Sequence, residues 1–255
     1  MLLAVDIGNT DITLGVFAAD ELKATWNIST DIHREVDEYA ALLLNLLHHR
    51  SIDAADIKGI IFCSVVPPLI ATFNKLFTEY FCLAPLLVES GVKTGVRIRA
   101  DNPREVGADR IVNTAAAHHL YRGPVIVTDF GTATTFDVVS KEGDYLGGVI
   151  APGITTSAEA LFTRAAMLPR VELVSPKHVI GANTIAAMQS GIVYGYVGLV
   201  EGIVSRLQKE LGEKATVVAT GGFAELIAKE TEVIDSVNPN LTLVGLRLIY
   251  QMNQA

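Results

Sequence analysis

Two short segments place an aspartate, a glycine and hydroxyl or amide side chains directly after an apolar run. The first is Asp6-Ile7-Gly8-Asn9-Thr10, after Leu2 to Val5, and the second is Asp129-Phe130-Gly131-Thr132, after Val125 to Val127. A glycine lets backbone N–H groups approach an anion closely, and the hydroxyl and amide groups can bond to phosphate oxygens. Because a carboxylate repels phosphate, each aspartate is expected to hold a cation. The chemistry predicted is the binding of a nucleotide and its metal.

Each segment is followed by a second apolar run that alternates with small or polar residues, as at Ile12, Leu14 and Val16. Both copies therefore predict a strand, a tight turn and a second strand. A single copy would favour an ordinary glycine turn in a β-hairpin. Two copies in one chain favour two half-sites that clamp one nucleotide from both sides.

The elements around each hairpin follow one plan. Three strands, ending near Ile28 in the first copy and near Ile150 in the second, precede alternating strands and helices. This order is typical of a ribonuclease-H-like lobe. We predict an α/β chain with residues 1–120 as the first lobe and residues 121–255 as the second.

A polar stretch from Ser90 to Arg110 lies within the first predicted lobe and ends where a helical pattern begins. Loops of this length in compact domains are usually functional or disordered. Asp109 lies at its end, and residue spacing leaves two interpretations about equally open. It is either a catalytic carboxylate or a helix-start carboxylate that is favourable to the helix dipole.

Four segments, in this order along the chain, resemble the motif set of type III pantothenate kinases, within the superfamily of sugar kinases, heat-shock ATPases and actin. They are Asp6–Thr10, Asp101–Arg110, Asp129–Thr135 and Thr220-Gly221-Gly222. The resemblance implies two similar ribonuclease-H-like lobes with the nucleotide cleft between them. It also implies ATP-dependent phosphorylation of pantothenate to 4′-phosphopantothenate, the first step of coenzyme A biosynthesis.

The resemblance also assigns roles to residues. Asp109 is the expected catalytic base, Asp6 positions Mg²⁺ through water, and Asp129 holds a monovalent cation, K⁺ or NH₄⁺. The residues expected to bind pantothenate are Gly107, Ala108, Asp109, Arg110 and Thr184. Those expected to bind ATP are Asp6, Ile7, Gly8, Asn9, Thr10, Asp11, Ile12, Thr13, Thr132, Gly221 and Gly222.

Two positions depart from the family pattern. Asp11 stands where an asparagine is usual, and Ala100 stands where a tyrosine commonly contacts pantothenate. The first adds negative charge beside a phosphate loop, and the second removes a substrate contact. Because neither change touches the expected base or cation ligands, activity is still expected.

Composition narrows the choice of partners and compartment. The 255 residues carry a net charge of −8, which argues against nucleic acid or an anionic membrane as a partner. Cys63 and Cys82 are expected to be two buried thiols rather than a disulfide, and no pair of histidines has zinc-ligand spacing with a third ligand nearby. With no signal peptide and no apolar run of membrane-spanning length, a cytoplasmic protein is expected.

Four glycines, Gly191, Gly195, Gly198 and Gly202, form one stripe along the helix predicted from Thr184 to Leu211. From the sequence, a partner subunit or an intramolecular helix could pack there equally well, and the family resemblance favours a homodimer. At the start of this helix, either Asn183 or Thr184 could be the N-cap.

Two competing functions remain at this level. One is a non-catalytic nucleotide-binding regulator of the same family, which the retained Asp6, Asp109 and Asp129 argue against. The other is an actin-like or chaperone-like ATPase, for which the chain is short.

Overall fold

The computed structural model describes residues 1–254, which form two compact units. The first unit comprises residues 1–96, 101–116 and the chain from Leu241 onward. The second unit comprises residues 97–100 and 117–240. Each unit contains one mixed β-sheet with its own apolar core.

The sheet of the first unit has the strand order β3-β2-β1-β4-β5. β1 pairs antiparallel with β2 and parallel with β4, so the apolar run of β1 is central and buried. Helices α1 and α2 cover one face, while α7 and the first half of α3 cover the other. The elements are β1 (Leu2–Ile7), β2 (Asp11–Ala18), β3 (Glu21–Ser29), α1 (Val36–His49), β4 (Gly59–Ser64), α2 (Pro67–Phe81), β5 (Leu86–Leu87), α3 (Ala108–Leu120) and α7 (Leu241–Gln254).

The sheet of the second unit repeats this plan with the strand order β11-β10-β7-β8-β9-β6. β7 pairs antiparallel with β8 and parallel with β10, as β1 does with β2 and β4. Helices α4, α5 and α6 pack on one face. The elements are β6 (Arg97–Ile98), β7 (Val125–Phe130), β8 (Ala133–Val139), β9 (Asp144–Pro152), α4 (Ile154–Arg164), α5 (Thr184–Leu211), β10 (Thr216–Gly221), α6 (Ala224–Ala228) and β11 (Ser236–Val237).

The last helix, α7, was predicted to belong to the lobe of residues 121–255, but it belongs to the first unit. α7 packs against β1, β2 and β4 of the first unit, where Leu243, Leu246 and Ile249 are buried. Gly15 in β2 makes room for this contact, since an added Cβ there would lie 2.7 Å from Leu243 Cδ1. The apolar side of α7 thus completes a sheet that is far away in sequence.

The polar stretch from Ser90 to Arg110 also contributes a strand that was not predicted. β6 pairs with β9 at the edge of the second sheet, where the Arg97 guanidinium contacts the Asp144 carboxylate at 2.6 Å. Among the helices that residues 1–254 form, none combines the length and the apolar character needed to cross a membrane.

Candidate active site

The turn of the first hairpin presents backbone and polar side chains at the end of two buried strands. The Gly8 N–H donates to the Asp11 carbonyl at 3.0 Å, and an added Cβ at Gly8 would lie 2.9 Å from that oxygen. The Thr30 hydroxyl donates to the Gly8 carbonyl at 2.7 Å and fixes the turn from β3. The side chains of Asn9, Thr10 and Asp11 are exposed, whereas Ile7 and Ile12 are buried. Contact between either isoleucine and a nucleotide is therefore limited to the backbone.

Asp6 is the half-buried fifth residue of β1, and it lies close enough to Asp109 to be affected by the charge of that second carboxylate. Burial, and then the charge of Asp109, raise the pKa of Asp6 to about 7. The Cys63 thiol donates a hydrogen bond to Asp6 Oδ1 at 3.1 Å, and this contact partly offsets the rise. A carboxylate held beside another carboxylate is a fitting ligand for a hydrated divalent cation, whose charge stabilises its ionised form.

Asp109 lies in the first turn of α3, where its side chain is half-buried. Its Oδ1 accepts a hydrogen bond from the Arg110 N–H at 2.8 Å, so it does occupy a helix-start position. Burial raises the pKa of Asp109, while the N–H and the charge of Arg110 lower it. An added Cβ at Gly107 would lie 2.5 Å from Asp109 Oδ1, so the absence of a side chain at Gly107 leaves room for the carboxylate.

The second hairpin has a turn that is one residue shorter, and its support is different. The Gly131 N–H donates to the Ala133 carbonyl at 3.1 Å. The start of α4 packs on this turn, because an added Cβ at Gly153 would overlap the carbonyl oxygens of Gly131 and Thr132. The Thr156 hydroxyl donates to the Thr132 carbonyl at 2.9 Å. Gly131 and Thr132 are exposed, as a phosphate-binding turn requires.

Asp129 lies beside the turn that follows β10. In the parallel register Asp129 is opposite Thr220, and Gly221 has a left-handed backbone with φ of +89°. Nothing lies within 4 Å of an added Cβ at Gly222, whose α carbon is open to a ligand. The oxygen atoms of Asp129 suit a hard cation.

Thr184 belongs to the second unit and is the first residue of α5. Asn183 is the N-cap, because its Oδ1 accepts a hydrogen bond from the Ala186 N–H at 2.9 Å. The exposed Thr184 side chain is therefore free of the capping role, and it lines an apolar groove along α5 and α4.

The first unit thus brings together Asp6, Asp109 and the Gly8 turn, and the second brings together Asp129, Thr132 and Gly221. The sequence reasoning missed two supporting contacts, from Thr30 to Gly8 and from Cys63 to Asp6. A signal for the second was present, since Cys63 ends an apolar run that becomes the strand parallel to β1. Among residues 1–254, no cluster of three or more His, Cys, Asp or Glu side chains could hold a metal.

Comparison with known proteins identifies the family to which this chain belongs. A sequence profile of type III pantothenate kinases matches residues 2–206. A type III pantothenate kinase of Dehalococcoides mccartyi strain CBDB1 is 56% identical over 253 residues, 99% of this chain and 96% of that protein. The chain belongs to the type III pantothenate kinase family. A Moorella thermoacetica member is 55% identical over 253 residues and is covered along 100% of its length.

The family predicted from the four motifs is confirmed, and with it the prediction of a kinase. A solved structure of the activator of 2-hydroxyisocaproyl-CoA dehydratase from Clostridium difficile, with bound ADPNP, has a TM-score of 0.56. The match covers 99% of this chain and 94% of the activator chain at 13% identity, so the similarity concerns the fold alone. The α/β fold of the sugar kinase, heat-shock ATPase and actin superfamily is likewise confirmed.

Proposed function

We propose that this kinase transfers the γ-phosphoryl group of ATP to the primary hydroxyl of pantothenate, giving 4′-phosphopantothenate for coenzyme A biosynthesis in the cytoplasm. The observation that carries the proposal is the proximity of Asp109 to Asp6 at the Gly8 turn, in a chain of the pantothenate kinase family. Neither the geometry nor the relatives favour the non-catalytic regulator.

In this mechanism Asp109 accepts the proton of the pantothenate hydroxyl and orients that oxygen toward the phosphorus. Phosphoryl transfer passes through a loose transition state, so orientation contributes more than early removal of the proton. Burial of Asp109 raises its pKa and makes it a better base than an exposed carboxylate. Gly107, Ala108, Arg110 and Thr184 bind the rest of the substrate, with Arg110 available for the pantothenate carboxylate.

The two hairpins bind the triphosphate of ATP. Residues from Asp6 to Thr13 supply backbone N–H groups and exposed polar side chains, and Thr132 supplies the same groups in the second unit. Gly221 and Gly222 allow the adenosine half to approach the backbone. Asp6 would hold, through water, the Mg²⁺ that accompanies ATP, and the ion would neutralise phosphate charge.

Asp129 holds a monovalent cation, K⁺ or NH₄⁺, beside the second turn. A positive ion there offsets the repulsion between the Asp129 carboxylate and the phosphates of ATP. The half-buried position of Asp129 at the end of β7 strengthens this effect relative to a fully exposed carboxylate.

The active protein is a homodimer formed along α5. The groove beside this helix has a volume of about 850 Å³ and is lined mainly by apolar groups. Among residues 1–254, no atom other than those of the chain neighbours and the backbone of α5 lies within 4 Å of an added Cβ at Gly191, Gly195 or Gly198. The large side chains of Met167 and Ile180, in the same unit, are 91% and 88% exposed. A second copy in a two-fold contact would cover such a surface.

Purified protein tests the reaction directly. ADP formation from ATP should depend on pantothenate, and the product should be phosphorylated on the primary hydroxyl. Activity should also require K⁺ or NH₄⁺. ATP hydrolysis at the same rate without pantothenate would instead identify an ATPase, and nucleotide binding without turnover would identify a regulator.

A further inference from the structure

Cys63 contacts the candidate active site from a strand that none of the family motifs includes. It is the fifth residue of β4, and the parallel register places it directly opposite Asp6 of β1. Its side chain is fully buried, and its Sγ lies 3.1 Å from Asp6 Oδ1. The two side chains therefore come from adjacent strands on the same face of the sheet.

In this hydrogen bond the thiol is the donor and the carboxylate oxygen is the acceptor. A neutral thiol has one proton to donate, and an ionised carboxylate can only accept. The 3.1 Å contact therefore has the Cys63 thiol as donor and Asp6 Oδ1 as acceptor. A lysine or arginine at this position would also donate, but its charge would compete with a cation for Asp6. The thiol restrains the carboxylate without adding charge.

We propose that Cys63 is a positioning residue for the kinase, whose thiol holds the Asp6 carboxylate in the orientation that receives the hydrated Mg²⁺ of ATP. This inference rests on the role proposed above for Asp6. Cys63 has no contact with the reacting atoms, and its effect is transmitted through Asp6 Oδ1 alone.

A purely structural role is the competing explanation, because Cys63 also belongs to an apolar cluster with Ala4, Ile61 and Val112. Three variants distinguish a positioning role of Cys63 from a packing role. Cys63→Ser keeps a donor, Cys63→Ala removes the donor and some volume, and Ile61→Val removes volume from the same strand and cluster without touching Asp6. A packing effect should appear in both Cys63→Ala and Ile61→Val.

The first measurement uses metal-free protein and does not depend on turnover. Cys63 and Cys82 are the two cysteines of the chain. Cys82 is exposed with a left-handed φ of 54°, so Cys82→Gly is tolerated and leaves Cys63 as the single thiol. The infrared S–H stretching band should lie at the lower frequency of a hydrogen-bonded thiol and should move up in Asp6→Ala. A band at the free-thiol frequency in the parent protein, or one that Asp6→Ala does not move, overturns the proposal.

The second measurement is the Mg²⁺ concentration that gives half-maximal activity, together with Mg²⁺-dependent ATP binding by calorimetry. Cys63→Ala should raise both apparent constants about three- to tenfold, as expected for the loss of one hydrogen bond, with KM for pantothenate within about twofold. Cys63→Ser should restore most of the difference, and Ile61→Val should match the parent. Equal effects of Cys63→Ala and Ile61→Val would refute the positioning role.

The same assay separates this inference from the function on which it rests. If Asp6→Ala keeps the parent dependence on Mg²⁺, the role of Asp6 in the proposed function is wrong. If Asp6→Ala loses that dependence while Cys63→Ala keeps it, only the role of Cys63 is wrong.

Discussion

The α carbon of Gly221 lies against the Asp129 carboxylate, so closely that an added Cβ would sit 2.6 Å from Asp129 Oδ1. That Cβ would also lie 2.7 Å from the backbone of Phe130. Gly221 is the last residue of β10. This strand pairs parallel with β7, which carries Asp129. The position of this carboxylate therefore depends on a residue that is distant in sequence and has no side chain.

Gly221→Ala should displace Asp129 and weaken activation by K⁺. We expect the K⁺ concentration for half-maximal activity to rise about tenfold, and the free energy of unfolding to fall by about 1–3 kcal/mol because φ is +89°. Gly123→Ala is the matched control, since its φ is +82° and nothing lies within 4 Å of its added Cβ. Potassium titrations of both variants test this. Unchanged K⁺ dependence in a folded Gly221→Ala protein would contradict it.

Asp109→Asn should remove the base while keeping the size of the side chain and its contact with the Arg110 N–H. Turnover should fall by roughly 10²-fold or more, the usual contribution of general base catalysis. Glu89→Gln, an exposed substitution in the same unit, should leave turnover unchanged. Steady-state kinetics under saturating ATP and pantothenate is the measurement, and near-normal turnover in folded Asp109→Asn would disprove the assignment.

The strands that carry Asp6 and Asp129 could be predicted because each combines an apolar run with an aspartate and a glycine turn within a few residues. The packing of α7 could not be predicted, because its apolar stripe would fit either sheet. The order of elements along the chain favoured the sheet of the second unit, which is nearer in sequence. The contacts from Cys63 to Asp6 and from Gly221 to Asp129 depend on the pairing of parallel strands. Sequence spacing does not encode that pairing, since parallel neighbours are joined by long connections.

The stability of the metal-free protein should decrease as pH rises. The pKa of Asp6 is raised from 3.8 to about 7 in the folded chain, so folding favours the protonated carboxyl. This contribution is complete below pH 3.8 and is lost as pH rises through about 7. Between about pH 5 and about pH 8, the free energy of unfolding should fall by roughly 1–3 kcal/mol.

Urea unfolding of parent, Asp6→Asn and Asp11→Asn proteins measures this dependence. Asp6→Asn should be less sensitive to pH than the parent, with the remaining slope coming partly from Asp109, whose pKa burial also raises. Asp11→Asn, on the same hairpin but exposed, should behave as the parent does. An equal pH slope in all three proteins would show that Asp6 does not titrate in this range.

Gly195→Leu should weaken the dimer without harming the subunit. Apart from the chain neighbours and the backbone of α5, no described atom lies within 4 Å of an added Cβ at Gly195, so thermal unfolding of the monomer should not shift downward. In a two-fold contact it should overfill the interface at a cost of roughly 1–3 kcal/mol, which raises the dissociation constant about tenfold or more. Ser205→Leu, at an exposed position of α5 outside the groove, is the control.

Sedimentation at several concentrations gives the dissociation constants, and titration with pantothenate shows whether substrate affinity changes in parallel. Thr184 lines the groove, so the two effects are expected together. A parent protein that sediments as a monomer at working concentration would end the proposal of a dimer.

The position of α7 has a consequence for synthesis on the ribosome. The strands β1, β2 and β4 emerge early, yet α7, which covers one of their faces together with the first half of α3, follows the whole second unit. While residues 117–240 are translated, the part of that apolar face that α7 covers stays exposed, and such a state favours aggregation or chaperone binding. A premature stop just before Leu241 would leave the later-made unit whole and the first-made unit incomplete. Loss of α7 would therefore act on the unit that carries Asp6 and Asp109, although both residues are translated well before that helix.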